Sequence, residues 1–214
     1  VIVNRIWAWH FGDGLVKTQS NFGRLGEKPE NQELLDYLAW RLMDNGWSIK
    51  KLQREIVLSE AFQAQRTTRR RLDVEQLRDS ILFTAGTLDL TLGGPAQMLD
   101  DKNKRRTVYA WVSRRRPDRL LGIFDFPNAT ATSEQRVTTD VPLQRLYLLN
   151  SPAVTDAADA IAKRTEASKQ RLDDTYRIVL QRHPSPQERK LAGEYFTRKG
   201  GTWPEFVQVL LASD

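Results

Sequence analysis

The sequence predicts a mainly α fold, a multi-helix globular domain with minor β structure, and three observations carry that reading. Capping residues recur immediately ahead of apolar segments. Apolar side chains then return three and four residues apart, the spacing of one helix face. Glycine and proline break this pattern chiefly in two stretches, 12–30 and 88–116.

In chain order, an apolar-periodic segment from Val1 to Trp7 opens the sequence. Gly12, Gly14, Gly23, Gly26 and Pro29 follow, too much punctuation for a helix. The apolar residues of this loop, Leu15, Val16, Phe22 and Leu25, would be costly to expose together, so the loop is expected to pack against Trp7, Trp9 and the next helix. That helix covers about residues 31 to 45, with Leu34, Leu38 and Leu42 on one stripe and Gly46 as its left-handed stop. Ser48 caps a second run through Leu52 and Ile56, with Trp47 and Leu52 as a hydrophobic staple. Asp73 and Gln76 form a capping box for a helix ending at Gly86. In the irregular stretch, Gly93-Gly94-Pro95 precedes Val108-Tyr109-Ala110-Trp111-Val112, whose alternation predicts a short strand near 107–113 that either pairs with another segment, such as 136–139, or serves as an extended arm. Ser151-Pro152, Ser185-Pro186-Gln187-Glu188 and Thr202-Trp203-Pro204-Glu205 place caps before prolines in the first helical turn. Residues 172 to 212 thus read as three short helices, with Leu172, Tyr176, Val179, Leu191, Tyr195, Phe206 and Leu210 inward. The expected division is a main helical domain, 1–166, and a C-terminal three-helix subdomain, 167–214, packed on it.

Composition narrows the chemistry. Apolar residues make up 40% of the 214, enough for a buried core. Having no Cys excludes disulfides, thiolate metal sites and a cysteine nucleophile, and the two His, His10 and His183, argue against a polyhistidine metal site. No metal or cofactor is therefore expected in this stretch. No apolar run is long enough to span a bilayer. The chain begins without Met and inside an apolar-periodic segment, which reads as part of a longer chain.

His10, Glu27 and Asp125 are the candidate catalytic residues. Imidazole titrates near neutrality, and the two carboxylates lie in punctuated, aromatic-bearing segments. A structural role has the stronger prior for each: a helix-end histidine beside the loop, and turn, cap or ion-pair carboxylates. Asp100-Asp101 and Asp173-Asp174 read as solvated turn or cap charges, and His183 as structural with no visible partner.

Lys plus Arg number 33 against 27 Asp plus Glu, a formal net charge of +6. The cations cluster in three runs: Arg66 to Arg71, Lys102 to Arg106, and Arg114 to Arg119. The second and third flank Tyr109 and Trp111, so Arg105, Arg106, Tyr109, Trp111, Arg114 and Arg115 form a candidate binding surface for an anionic polymer. On a strand, Tyr109 and Trp111 would share one face. The bland alternative is a solvated face with some Arg held by internal acids such as Asp73 or Asp79.

Several stretches carry a family resemblance. Val3-Asn4-Arg5-Ile6-Trp7, Phe11-Gly12-Asp13-Gly14-Leu15-Val16 and Asn21-Phe22-Gly23-Arg24-Leu25-Gly26-Glu27 are followed by Gly46-Trp47-Ser48-Ile49-Lys50, Arg70-Arg71-Leu72-Asp73 and Leu88-Asp89-Leu90-Thr91-Leu92-Gly93-Gly94-Pro95. Phe124-Asp125-Phe126-Pro127, Pro142-Leu143-Gln144 and Leu148-Leu149-Asn150-Ser151-Pro152 complete the series. Together these resemble a planctomycete-rich family, domain of unknown function 1553, over nearly the whole chain. Two departures are the short connection between Gln65 and Arg69 and the stop at Asp214, where relatives continue. The resemblance implies a domain of large exported proteins, periplasmic or at the cell surface, whose partners are neighbouring domains of the same chain, often cytochrome c-like. It carries over no catalytic residue. The leading expectation is a non-catalytic interaction or scaffolding module with an anionic polysaccharide as candidate ligand. A glycan-active or redox-linked enzyme acting with its neighbours comes second, and nucleic-acid binding last.

Overall fold

The protein is described here by a computed structural model covering residues 1–64, 71–131, 133, 135–197 and 200–213. It divides into two compact units, Val1–Arg70 with Ser133–Gln135, and Arg71–Thr132 with Arg136–Asp214. Most of the basic run Arg66 to Arg71, and the short connection from Gln65, lie outside the described residues.

The first unit contains α1 (Ile2–Phe11), α2 (Gln32–Asp44), α3 (Ile49–Leu58) and α4 (Glu60–Ala64). Asn31 caps α2 by accepting from Leu34 N–H, and Ser48 caps α3 by accepting from Lys51 N–H. Between these helices Gly46 takes φ +67°, the expected left-handed stop, and Trp47 follows at φ +61°. Trp47 is largely exposed while Leu52 is fully buried, so the expected staple does not enclose both side chains. Val3 and Ile6 of α1, Leu38 and Leu42 of α2, Leu52 and Ile56 of α3, and Leu15 from the loop make one core.

The glycine loop corrects its expectation in part. Leu15 and Val16 are buried, but Phe22 is exposed and Leu25 lies 92% in solvent. Anchors hold the loop near both ends. Asn4, itself fully buried, donates from Nδ2 to Val16 C=O (2.9 Å) and accepts from Val16 N–H through Oδ1 (2.8 Å), while Glu30 N–H donates to Leu15 C=O (2.8 Å). The middle satisfies its own backbone: Asn21 N–H to Thr18 C=O, Gly26 N–H to Gly23 C=O, and Glu27 N–H to Thr18 Oγ1. Self-bonded turns of this kind hold shape without burying apolar side chains.

The second unit carries α5 (Val74–Ala85), α6 (Arg119–Ile123), α7 (Pro142–Asn150), α8 (Pro152–Arg164), α9 (Arg171–Leu180), α10 (Pro186–Thr197) and α11 (Trp203–Leu211). Local signals place their ends. Asp73 and Gln76 form the capping box of α5, and Gly86 closes it at φ +74°. Ser185 and Glu188 exchange the bonds of a capping box at α10, as do Thr202 and Glu205 at α11. Ser151 occupies the N-cap of α8 without a side-chain cap bond. Small residues of α8 (Ala157, Ala158, Ala162) let it lie close to α11, with Ile161 and Val207 between them. Tyr176, Ala192, Phe206 and Leu210 join α9, α10 and α11. Leu191 is exposed and Ala192 is the buried residue, so α10 turns one position away from the predicted face. The sequence boundary near 166/167 falls inside this unit.

The segment expected to form a strand does not. Thr107–Tyr109 is a turn of 3₁₀ helix, fixed because Asp79 Oδ1 accepts from both Thr107 N–H (2.8 Å) and Thr107 Oγ1 (2.7 Å). Among the described residues the irregular stretch pairs through two isolated bridges, Asp89 with Arg105 and Gln97 with Ala110, and not with 136–139. Among the described residues no helix is long and apolar enough to cross a membrane.

Candidate functional site

His10 ends α1 with Nδ1 2.8 Å from Ile6 C=O and its ring edge-on to Phe62. Glu27 is exposed, and its backbone N–H binds Thr18.

Asp125 is more constrained. It sits at φ +60°, a left-handed backbone that Asp tolerates better than most residues. Its carboxylate accepts from Thr139 N–H (2.8 Å), Thr139 Oγ1 (2.8 Å) and Gln144 Nε2 (3.2 Å). Burial opposes its charge, but the donors from Thr139 and Gln144 outweigh it and hold the carboxyl below its ordinary pKa. Gln144, 1% exposed, also donates to Ile123 C=O and accepts from Val141 N–H. Arg71 binds Thr139 C=O from the other side. The arrangement ties the approach to α7 onto the end of α6. An ionised carboxylate already holding three donors is a poor general base, since protonating it would break those bonds.

The paired acids and His183 are likewise engaged. Asp100 accepts from Lys102 and Asn103 N–H in a tight turn. Asp173 receives both arms of Arg189 (2.6 Å each) and lies 3.1 Å from His183 Nδ1, which supplies the histidine partner that the sequence did not reveal. Among the described residues no three His, Asp or Glu gather to hold a metal ion.

The basic-aromatic segment splits into an inner and an outer part. Arg105 turns inward. Its guanidinium donates to the carbonyls of Thr91, Gly93 and Pro95 and lies over the Tyr109 ring, 4.3 Å from the centroid. Tyr109 Oη in turn accepts from Gly93 N–H at 2.9 Å. These two residues close the 91–95 turn against the 3₁₀ segment. Arg106 is exposed, with its Nε 3.8 Å from Asp79, and Lys104 donates to Asp101 C=O. Arg78, which the sequence did not single out, is partly buried beneath this region and donates to the carbonyls of Asn103 and Arg105 and to Thr107 Oγ1. Burial pushes its pKa below the usual arginine value, with neighbouring Asp79 opposing the shift.

The outer part is Trp111 with Arg114, Arg115 and Arg116. Trp111 is 41% exposed, and its backbone N–H donates to Gln97 C=O at 2.8 Å. Ser113 Oγ then accepts from the N–H groups of Arg115 and Arg116 (3.3 Å each), turning the backbone so that three consecutive arginines are exposed. None of the three forms an ion pair with a described residue. Val108 and Val112, also exposed, line a separate shallow groove with Phe83 and Arg106.

A family model, PSD1, described as "Protein of unknown function (DUF1553)", matches residues 1–68 and 64–196. No curated protein and no solved structure matches the chain.

Proposed function

The chain belongs to the DUF1553 family of proteins of unknown function, and from that premise we propose that it is a non-catalytic interaction module whose outer basic surface grips an anionic polysaccharide. One observation carries the reading: Arg114, Arg115 and Arg116 stand exposed in succession beside the half-exposed indole of Trp111, with no described acid to neutralise them. Unpaired arginines next to an aromatic face suit a sulfated or carboxylated sugar chain, with charge-assisted hydrogen bonds to the anions and the indole against the ring. Arg106 extends the same charge, whereas Arg105 and Tyr109, engaged internally, serve as scaffold. Of the catalytic candidates, the Asp125 carboxylate is committed to Thr139 and Gln144 and His10 to its own helix, which supports a non-catalytic role. Export to the periplasm or cell surface, and work beside neighbouring domains such as a cytochrome c-like one, rest on the sequence resemblance alone.

The test is a titration of the protein with a sulfated glycan, a neutral glycan and single-stranded DNA at two salt concentrations. The sulfated glycan should bind best at low salt and weaken as ions screen exposed charges over roughly 8–10 Å. Trp111→Ala and the Arg114→Ala, Arg115→Ala double variant should each reduce binding. Equal binding by wild type and both variants would remove this surface from consideration, and a preference for DNA would transfer it to nucleic acid.

A further inference from the structure

Within the second unit lies a cavity of about 600 Å³ lined by α5, the 99–104 segment, α6, α7 and the start of α8. None of the catalytic or binding candidates discussed above lines it. Leu77 and Ile81 of α5, Leu120 and Ile123 of α6, and Leu143 and Leu146 of α7 present hydrocarbon to it. Native cores leave few voids larger than a water molecule, whereas small-molecule sites span roughly 300–1,000 Å³ and are mostly apolar. Leu143 and Leu146 are about half exposed, so the space opens to solvent. Apolar side chains facing a solvent-reached space are what a hydrocarbon ligand would cover.

The charged residues of the lining limit the ligand. Arg78, Lys104 and Arg119 face Asp100, Asp101 and Asp118, three cations against three carboxylates, so the sum is zero. Several are already engaged. Arg78 donates to two carbonyls and Thr107, Asp118 caps α6 through Leu121 N–H, and Asp100 holds its turn. Because the charges of the lining sum to zero, a charged head group gains no net attraction here and loses hydration on entering. The phenol of Tyr147 is different. It is packed edge-on to Phe124 and half-buried. A phenol is neutral at ordinary pH and burial raises its pKa further, so it stays an O–H able to donate or accept.

The geometry points to a binding site for one small, uncharged, largely hydrocarbon ligand that places a hydroxyl or carbonyl against Tyr147. This site is independent of the basic surface, so Trp111→Ala should leave it intact.

The experiment uses the neutral fluorophore N-phenyl-1-naphthylamine as probe, with 1-decanol, decanoate and decylammonium as competitors. Saturable one-to-one probe binding is expected, with decanol the best competitor. Leu146→Trp, which fills the mouth, and Leu143→Glu, which places a charge there, should each weaken the probe at least about tenfold. Both positions are solvent-facing, so thermal melts should stay close to wild type, and two variants guard against one failing to fold. Tyr147→Phe should weaken decanol more than it weakens the probe. The site is overturned if probe binding does not saturate or if neither mouth variant changes it. The uncharged-ligand assignment is overturned if decanoate or decylammonium competes as well as decanol.

Discussion

Asn4 and Arg105 show at the level of single residues what a sequence reveals and what it hides. Asn4 matches both hydrogen-bonding groups of Val16, twelve positions away, and Gly14 makes room for it: a Cβ added at Gly14 would come within 2.5 Å of Asn4 Nδ2. Replacing Asn4 by Ala would strand a buried N–H and a buried C=O, each costing about 1–3 kcal/mol, so a loss on the order of 3 kcal/mol is expected in urea unfolding. Gly14→Ala should be destabilising too, while Asn21→Ala, an exposed loop control, should change little. A wild-type unfolding midpoint for Asn4→Ala would refute the clamp. Asn4 stands within the motif that carries the family resemblance, yet nothing near it in sequence names its partner. Arg105 poses the converse problem. Its acceptors are main-chain carbonyls, which every sequence possesses, so no pattern of side chains could separate it from Arg114, which stays in solvent.

Helix ends were legible because their causes lie within three residues. The boxes at Asp73, Ser185 and Thr202 all form, since a cap competes only with water for nearby N–H groups. The strand near 107–113 was not, because alternation over five residues cannot report a partner; Asp79, 28 positions earlier, imposes a 3₁₀ turn instead. One box also predicts a pH effect. Arg182, followed by the Ser185 N–H, holds the Glu188 carboxyl down at a pKa of about 2 from an ordinary 4.5. A depressed carboxyl contributes stability that is fully present above its unfolded pKa and lost as pH falls through its folded one. The gap in thermal midpoint between wild type and Glu188→Gln should therefore be largest above about pH 4.5 and shrink toward pH 2. Scanning calorimetry across that range measures it, and a gap independent of pH would mean that the charge contributes nothing. Asp173, held low by Arg189 and then His183, belongs to the same corner and should add to the acid sensitivity.

For the molecule as a whole, the helical class was readable from periodicity, but the cavity was not. It depends on which faces meet, and that information lies between elements distant in sequence. The observed second unit has three clusters that share members: Ile81 adjoins two of them, as do Val179, Trp203 and Leu211. A core continuous in this way has no interior plane at which residues 167–214 would separate from the helices before them. It follows that residues 71–214 should fold as one body when produced without residues 1–70, because all three clusters and every residue lining the cavity lie within that span. The expected outcome is a single cooperative thermal transition and the same affinity for N-phenyl-1-naphthylamine as the full chain. A fragment ending at 166 should lose cooperativity, since it removes Phe206, Val207 and Leu210 from the faces they fill. If instead 1–166 melts cooperatively and 71–214 does not, the core would have to be divided at the later boundary.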